Sequence, residues 1–536
     1  MNRRNFLQLS SAPAAADPTF SEPPSIEPYE GTWSRPEVYH LLRRTLIAPT
    51  VTEVGDALAM SRTELVDALL DNVNPQPGPS RFVRECMNAS GLGWNGNDVG
   101  LTRSFYDELR RWWIGQMANH PLSIRERMTL FWHNHFAVNA RTIQDPRLIY
   151  LQNQLFRRNA VGNFRELVRL VTIDKAMLFF LDGKFNKARF RNENYARELQ
   201  ELFTIGVADN DGNPNYTQED VVEVAKTLTG WDWVGFGMQG TVTNNLLTGH
   251  DLVDKTVYGE KITARTEGAP ELTRLLDIIF AKEETARYVI RKLYRFFVYT
   301  DVTLTPVRPI AEEIESGIIA PLATIFRDND WDIRPVLRTL LLSRHFYDTA
   351  VRAATIKSPV DLMAGTIRAT LSAPLTGDNL DFATQYAQLR STEIQQNLNH
   401  PPGVQGWSFY RSWISSTTLP KRRFFTDAML AGAESRIVDR LNMVFTGPIP
   451  RNGSWRIDLL AFAKQFGSYE DPELLVADIA EHLLAFAPTT SLTDRLLDEM
   501  TNGRPYEWEE LDDPSREAGL AKMLRYLMRS SNYQLM

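Results

Sequence analysis

Four polar clusters along the chain hold side chains able to ligate a metal or move a proton. The first is Phe131-Trp132-His133-Asn134-His135-Phe136. Imidazole suits zinc, copper, iron or nickel, so His133 and His135 point to a metal site. Residues at i and i+2 leave a helix on different sides but share one face of a strand. A helix starting at Ile124 must therefore end near His133 if both rings are to meet one ion. Asn134 and the following Ala137-Val138-Asn139 permit such an ending. The competing reading is one buried histidine held by a backbone carbonyl and one at the surface.

The second cluster is Asn192-Glu193-Asn194-Tyr195-Ala196-Arg197-Glu198-Leu199-Gln200-Glu201-Leu202. On a helix, Asn194, Arg197, Glu198 and Glu201 fall within a narrow arc, with Leu199, Leu202 and Phe203 elsewhere. Facing carboxylates in bundles build metal sites, whereas charged helix faces are commonly just solvated. Two asparagines in the first turn, poor helix formers without a packing need, weigh against the bland reading. The third cluster is Gly249-His250-Asp251, with Asp254 and Lys255 following. It reads as a metal ligand or general base, or as a loop satisfying its own backbone. The fourth, His400-Pro401-Pro402-Gly403-Val404-Gln405-Gly406-Trp407 with Trp413 beyond, is a loop built to hold one shape. Its alternatives are lining a pocket and packing onto the core, of which packing is preferred.

These clusters need a scaffold, and the composition supplies one. The 536 residues are 43% hydrophobic, 10% aromatic and 23% charged, which excludes disorder over the whole length. A net charge of −7 argues against a general nucleic-acid binder. No run approaches the ~18 apolar residues of a membrane-spanning helix. The single cysteine, Cys86, excludes an internal disulfide framework and a cysteine-based zinc finger. Walker, dinucleotide, nucleophile-elbow and His-Glu-x-x-His signatures are absent.

The dominant period is helical. It is seen over 63–70, 104–118, 122–134, 164–171, 193–205, 272–298, 310–327, 332–342, 358–371, 425–445, 471–486 and 515–530. The predicted fold is mainly α, a multi-helix globular array with a small β-hairpin excursion near 231–262. Thr217 with Asp220 reads as a capping box, and Gly230 as the end of the helix it starts. Leu337 to Phe346 echoes Leu524 to Tyr533: each is an amphipathic helix ending at a serine, with an aromatic anchor one turn later.

Three segments are predicted. Residues 1–36 form a leader and proline-rich linker, 37–446 the main helical domain, and 447–536 a C-terminal helical segment packed on or following it. The leader carries Arg3-Arg4-Asn5-Phe6-Leu7 and Ala14-Ala15-Ala16, which look like a twin-arginine export signal and its cleavage site. Gln8 and two serines weaken its apolar region, and a disordered cytosolic tail is the competing reading. Export places the protein in the periplasm or outside the cell. The loop Gly447-Pro448-Ile449-Pro450-Arg451-Asn452-Gly453 is the second boundary signal.

Further strings join these clusters: Asp174-Lys175-Ala176-Met177-Leu178 with Leu181-Asp182, Thr204-Ile205-Gly206-Val207, Leu228-Thr229-Gly230-Trp231 and Lys357-Ser358-Pro359. With Trp132 to Phe136, Asn192 to Leu199, Tyr216-Thr217-Gln218, His250-Asp251 and Pro401 to Trp407, they resemble the bacterial domain-of-unknown-function family 1800, from about Tyr39 onwards. The resemblance implies a mainly helical, often exported protein without an established activity. It also implies a partner protein, exported and sulfatase- or phosphatase-like, encoded nearby. Many members have histidine where this chain has Phe203, and proline where it has Lys175.

Two functions follow as expectations. The first is a metal-dependent enzyme, hydrolytic or oxidative. His133, His135, Glu198, Glu201 and His250 would hold a divalent or transition ion of open identity. Glu193 would act as base, Arg197 would orient an anionic group through its fork, and Asp251 would complete the catalytic set. The second is a non-catalytic envelope or surface assembly protein that docks the sulfatase-like partner, with Trp231, Trp233, Trp407 and Trp413 as anchors.

Overall fold

The computed structural model describes residues 20–71, 99–143, 145–234, 241–244, 249–299, 310–408, 410–439 and 449–536. Within them the chain is an array of helices: α1 (Arg35–Thr45), α2 (Val51–Leu58), α3 (Arg62–Asp71), α4 (Val99–Asn119), α5 (Arg125–His135), α6 (Pro146–Arg158), α7 (Phe164–Thr172) and α8 (Lys175–Phe180). Next come α9 (Asn194–Glu198), which runs on as a π-turn over Leu199–Thr204, then α10 (Gln218–Thr227), α11 (Gly268–Phe280), α12 (Glu283–Phe297), α13 (Ala320–Asp328) and α14 (Ile333–Leu342). The array closes with α15 (Pro359–Ala369), α16 (Gly377–Glu393), α17 (Thr418–Ala431), α18 (Pro472–Leu483), α19 (Thr490–Thr501) and α20 (Asp513–Arg529). The mainly α expectation holds.

Polar side chains start these helices by accepting the backbone N–H groups that a first turn leaves unpaired. Thr50 with Glu53, Thr217 with Asp220 and Ser358 with Asp361 form full capping boxes. The Thr217 box is the one expected from sequence. Helix α4 packs against α15 and α16, α5 against α6, and α12 against α13.

Three antiparallel hairpins interrupt the helices. β1 (Trp231–Val234) pairs with β2 (Thr241–Asn244), and β3 (Lys255–Val257) with β4 (Glu260–Ile262), inside the region expected to be β. Tyr258 and Gly259 both take positive φ, which is what a two-residue hairpin turn requires. The third hairpin corrects the sequence reading. β5 (Ala433–Asp439) and β6 (Ile449–Trp455) occupy part of the helix read over 425–445 and part of the loop read over 447–453. Helix α17 stops because Gly432 turns the chain at φ 106, beyond which a helix cannot continue.

The sequence echo proves to be a shared helix-ending device. Ser343 and Ser530 each donate a hydroxyl to the carbonyl three residues back, at 2.7 and 2.6 Å. Each hydroxyl oxygen also accepts the N–H of the aromatic residue three positions on, Phe346 or Tyr533. Both aromatic rings are buried.

Residues 1–19, with the twin-arginine-like stretch, and Cys86 lie outside the described residues. From Phe20 the proline-rich segment is extended and pinned to the end of α14. Tyr29 N–H donates to Leu342 O at 2.9 Å, and Ser21 donates to Asp348 at 2.6 Å. The C-terminal helices return onto the main body. His482 engages Ala369 O at 2.8 Å, Arg35 pairs with Glu481 at 2.9 Å, and Leu535 bridges to Ile356.

Seven of the eight histidines, His40, His120, His133, His135, His345, His400 and His482, are held below their ordinary pKa of 6.5, chiefly by burial. The unfolded chain then binds more protons than the fold below about pH 6.5, so stability is full above that value and falls beneath it. The histidine contribution predicts that a melting-temperature series drops steeply between pH 6 and pH 4. A flat curve down to pH 4 contradicts this.

Candidate active site

Helix α5 runs through His135 rather than ending at His133, so the two imidazoles leave it about 200° apart. They do not meet. The His133 ring lies edge-on to Trp113 at 4.9 Å and tilted against Trp407 at 5.4 Å. Its Nε2 accepts the Asn399 N–H at 3.2 Å, and burial pushes its pKa down to about 3. His135 contacts the Phe203 carbonyl through Nε2 at 3.0 Å and Lys292 Nζ through Nδ1 at 3.0 Å. Both rings are buried, so neither is the surface histidine of the competing reading.

His135 reaches the segment that carries the acidic cluster. There α9 widens into the π-turn, whose last carbonyls have no partner within the helix. Leu202 O accepts from Tyr288 Oη and from Lys292 Nζ, both at 3.0 Å, while His135 takes Phe203 O. Three side chains from α5 and α12 thus close the end of the turn, and an amine suits a helix C-terminus. Burial and the nearby Arg295 charge lower the Lys292 pKa to about 7. Gly206 follows at φ 79, where a Cβ would stand 2.6 Å from the Tyr288 ring.

On the outer side of this turn Glu198 and Glu201 stand together. Burial first, and the Glu201 charge second, raise the Glu198 carboxyl to about 7 against the opposing pull of Arg197. Glu201 accepts from Tyr216 Oη at 3.1 Å. Beside them Glu193 pairs with Arg197 at 3.1 Å, and Gln218 bridges the two, donating to Glu193 and accepting from Arg197 at 2.9 Å each. The result is a half-exposed polar wall with a fixed guanidinium, a phenol and two coupled carboxylates. A carboxyl that titrates near 7 can give and take a proton at neutral pH.

The third cluster forms a separate knot. His250 faces Thr229 O at 2.9 Å through Nδ1 and Glu271 at 3.2 Å through Nε2. Lys255 pairs with the other Glu271 oxygen at 2.7 Å, with both side chains fully enclosed. Burial works to raise the Glu271 pKa, yet hydrogen bonds from His250 and Lys255 leave it below the ordinary value. Asp251 pairs outward with Arg191 at 2.8 Å.

Among the described residues, no three His, Cys, Asp or Glu side chains gather as a metal-ligand set. His135 and His250 engage both ring nitrogens with protein atoms. Glu198 and Glu201 are the members of the expected ligand set that stand side by side. Sequence reasoning missed Tyr216, Gln218, Tyr288 and Lys292. Tyr216 and Gln218 sat in a stretch read only as a helix cap, and Lys292 lies within an ordinary amphipathic helix. The fourth cluster both packs and lines a cavity. Trp407 N–H donates to Asn134 Oδ1 at 2.7 Å, Gly406 presses against Asn134, and both tryptophans are buried.

Lys292→Met removes the donor to His135 Nδ1 and one donor to Leu202 O. A buried acceptor left bare costs about 1–3 kcal/mol, so denaturant unfolding is expected to show a loss of that size. The Glu198 titration should move with it as the turn loosens. An unchanged midpoint contradicts the capping role.

A family model described as "Protein of unknown function (DUF1800)" matches residues 40–535. No curated protein and no solved structure matches the chain. The matched span takes in the histidine pair, the acidic wall, the His250 knot and the tryptophan loop, and the chain belongs to the DUF1800 family.

Proposed function

We propose that the chain is an exported enzyme whose working centre is the Glu198–Glu201 pair, with Glu198 as the group that gives and takes the proton. The supporting observation is the Glu198 carboxyl at about 7, coupled to a second carboxylate on a half-exposed wall. A carboxyl with that proton affinity beside a second carboxylate is what acid–base hydrolysis uses. Arg197 holds an anionic or carboxylate group of the substrate through its free face. Glu193, engaged by Arg197 and Gln218, positions that guanidinium, and the base role passes to Glu198. Asp251 and His250 support the neighbouring loop from outside the wall. A divalent ion belongs to the proposal at the same two carboxylates, where it would replace the proton in relieving their repulsion and supply a polarised water.

A second reading, an assembly protein docking a sulfatase-like exported partner, draws support from one surface. Phe190, Val253, Leu252 and Phe185 expose 79, 65, 56 and 54% of their area. Ala188 N–H to Gly249 O at 2.8 Å and Arg191 to Asp251 join the loops that carry Phe190, Leu252 and Val253. Clustered exposed apolar side chains mark interaction sites. Of the four tryptophan anchors expected from sequence, Trp231, Trp407 and Trp413 are buried and do not serve it, and Trp233 is half-buried.

Glu198→Gln separates the readings. Hydrolysis found with a panel of ester, phosphate and glycoside substrates is expected to fall at least ~100-fold in this variant. Because the raised pKa means the fold binds more protons than the unfolded chain, stability falls as pH rises through 7. The glutamine variant is therefore expected to melt higher than wild type at pH 8 and equally below about pH 4. Undiminished turnover, or partner capture lost in Phe190→Ser and kept in Glu198→Gln with no turnover in either protein, favours docking. Metal analysis of both proteins reports whether an ion shares the pair.

A further inference from the structure

Away from the acidic wall, the interior gathers more positive charge than it neutralises. Asp361, in the first turn of α15, pairs with Arg127 of α5, and both are buried. Arg44, Arg422 and Lys357 face the same carboxylate electrostatically. Four cations thus share one acid. Arg44 and Arg422 are fully enclosed, and Arg127 is 3% exposed.

Their hydrogen bonding is also incomplete. Arg44 donates to Val351 O through Nη2 at 2.7 Å and to Thr355 Oγ1 through Nη1, and Arg422 donates to Gln534 and to Lys357 O, both at 2.7 Å. Arg127 turns one nitrogen to Asp361 and offers another only to the Met536 sulfur at 3.6 Å, a weak acceptor. Arg44 Nε, Arg127 Nε and Arg422 Nη1 have no hydrogen-bond partner among the described residues. The Lys357 ammonium rests 3.9 Å from the Tyr533 ring centroid. Buried guanidinium donors are ordinarily satisfied, and a cluster of orphans indicates a water or an ion.

There is room for one beside Arg127, whereas Arg44 and Arg422 line neither of the two neighbouring cavities. A cavity of about 50 Å³ opens against Arg127, with Asp361, Ser358, Asn134, Trp407 and Trp413 in its wall. A second, of about 30 Å³, shares Asp361 and takes Lys357 and Arg43 into its lining. At roughly 10–15 Å³ per water-sized centre, the larger holds about four heavy atoms.

We infer that this cavity is a binding site for a small oxyanion, a phosphate, sulfate or carboxylate group, held by Arg127 and Ser358 beside the two tryptophans, with the Lys357 charge across Asp361 in the lining of the neighbouring cavity. Burial, together with Arg43 and Arg422, lowers the Lys357 pKa to about 7, and an anion would restore its charge. Three strings that the sequence singled out, around Asn134, Ser358 and Trp407, converge on this wall. It is independent of the Glu198 pair, and Glu198→Gln should leave it intact.

The test is a melting-temperature titration of the full chain with inorganic phosphate, sulfate and acetate, at ionic strength held constant with chloride. A saturable rise of at least about 2 °C with one of the oxyanions and none with chloride is expected. A change in tryptophan emission should follow the same curve. Lys357→Met, which leaves the Arg127–Asp361 pair in place, should weaken half-saturation at least 10-fold. Ser358→Ala gives a milder version of the same shift, and Glu198→Gln should respond like wild type. No saturable rise, an equal rise with chloride, or an unchanged response in Lys357→Met overturns the site.

Discussion

Helix α5 is enclosed on nearly every side, and its sequence is nevertheless polar. A buried polar group left without a partner costs about 1–3 kcal/mol, and a broken buried ion pair about 3–5 kcal/mol. Each such side chain on α5 therefore dictates what must stand beside it. Glu126 takes Arg157 of α6 at 2.6 Å and the Trp113 indole of α4 at 3.0 Å. Arg127 takes Asp361 of α15. The Trp132 indole donates to Ala160 O at 2.9 Å, His133 accepts from Asn399, Asn134 accepts from Trp407, and His135 engages Phe203 O. One helix thus fixes the register of elements from α4 to the tryptophan loop.

The acidic wall inherits its shape from that helix. His135, with Lys292 and Tyr288 beside it, satisfies the carbonyls at the end of the π-turn. A turn of this kind holds only where outside donors replace the bonds the helix cannot make. With its backbone closed from behind, the turn presents Glu198 and Glu201 together on the outer side. The raised Glu198 pKa follows first from partial burial and second from that forced proximity. Proton affinity at the surface is in this way set by hydrogen bonds made in the interior.

Much of this was legible in the residues, and the exceptions have physical reasons. Helices such as α7 and α14 carry apolar residues at i, i+3 and i+4, and their limits match the periodicity. Helix α16 escaped because its buried face includes Thr384, Gln388 and Ser391, which break the apolar stripe. The β5–β6 hairpin escaped because Pro450 and Gly453 read as loop signals. The acidic cluster was visible from residue types alone. Its supports were not, because Lys292 lies 90 residues beyond the carbonyl it caps and carries no local motif. The histidine pair was visible as a pair but not as two separate supports, since that depended on α5 running two residues further.

The account turns on whether the Glu198 proton is held near neutrality by burial and by Glu201. Difference infrared titration of wild type against Glu198→Gln, repeated in a Glu201→Gln background, isolates that carboxyl. The account expects an apparent pKa of about 7 in wild type and a lower one once the Glu201 charge is removed. A carboxyl at its ordinary value, or one indifferent to Glu201→Gln, would contradict it.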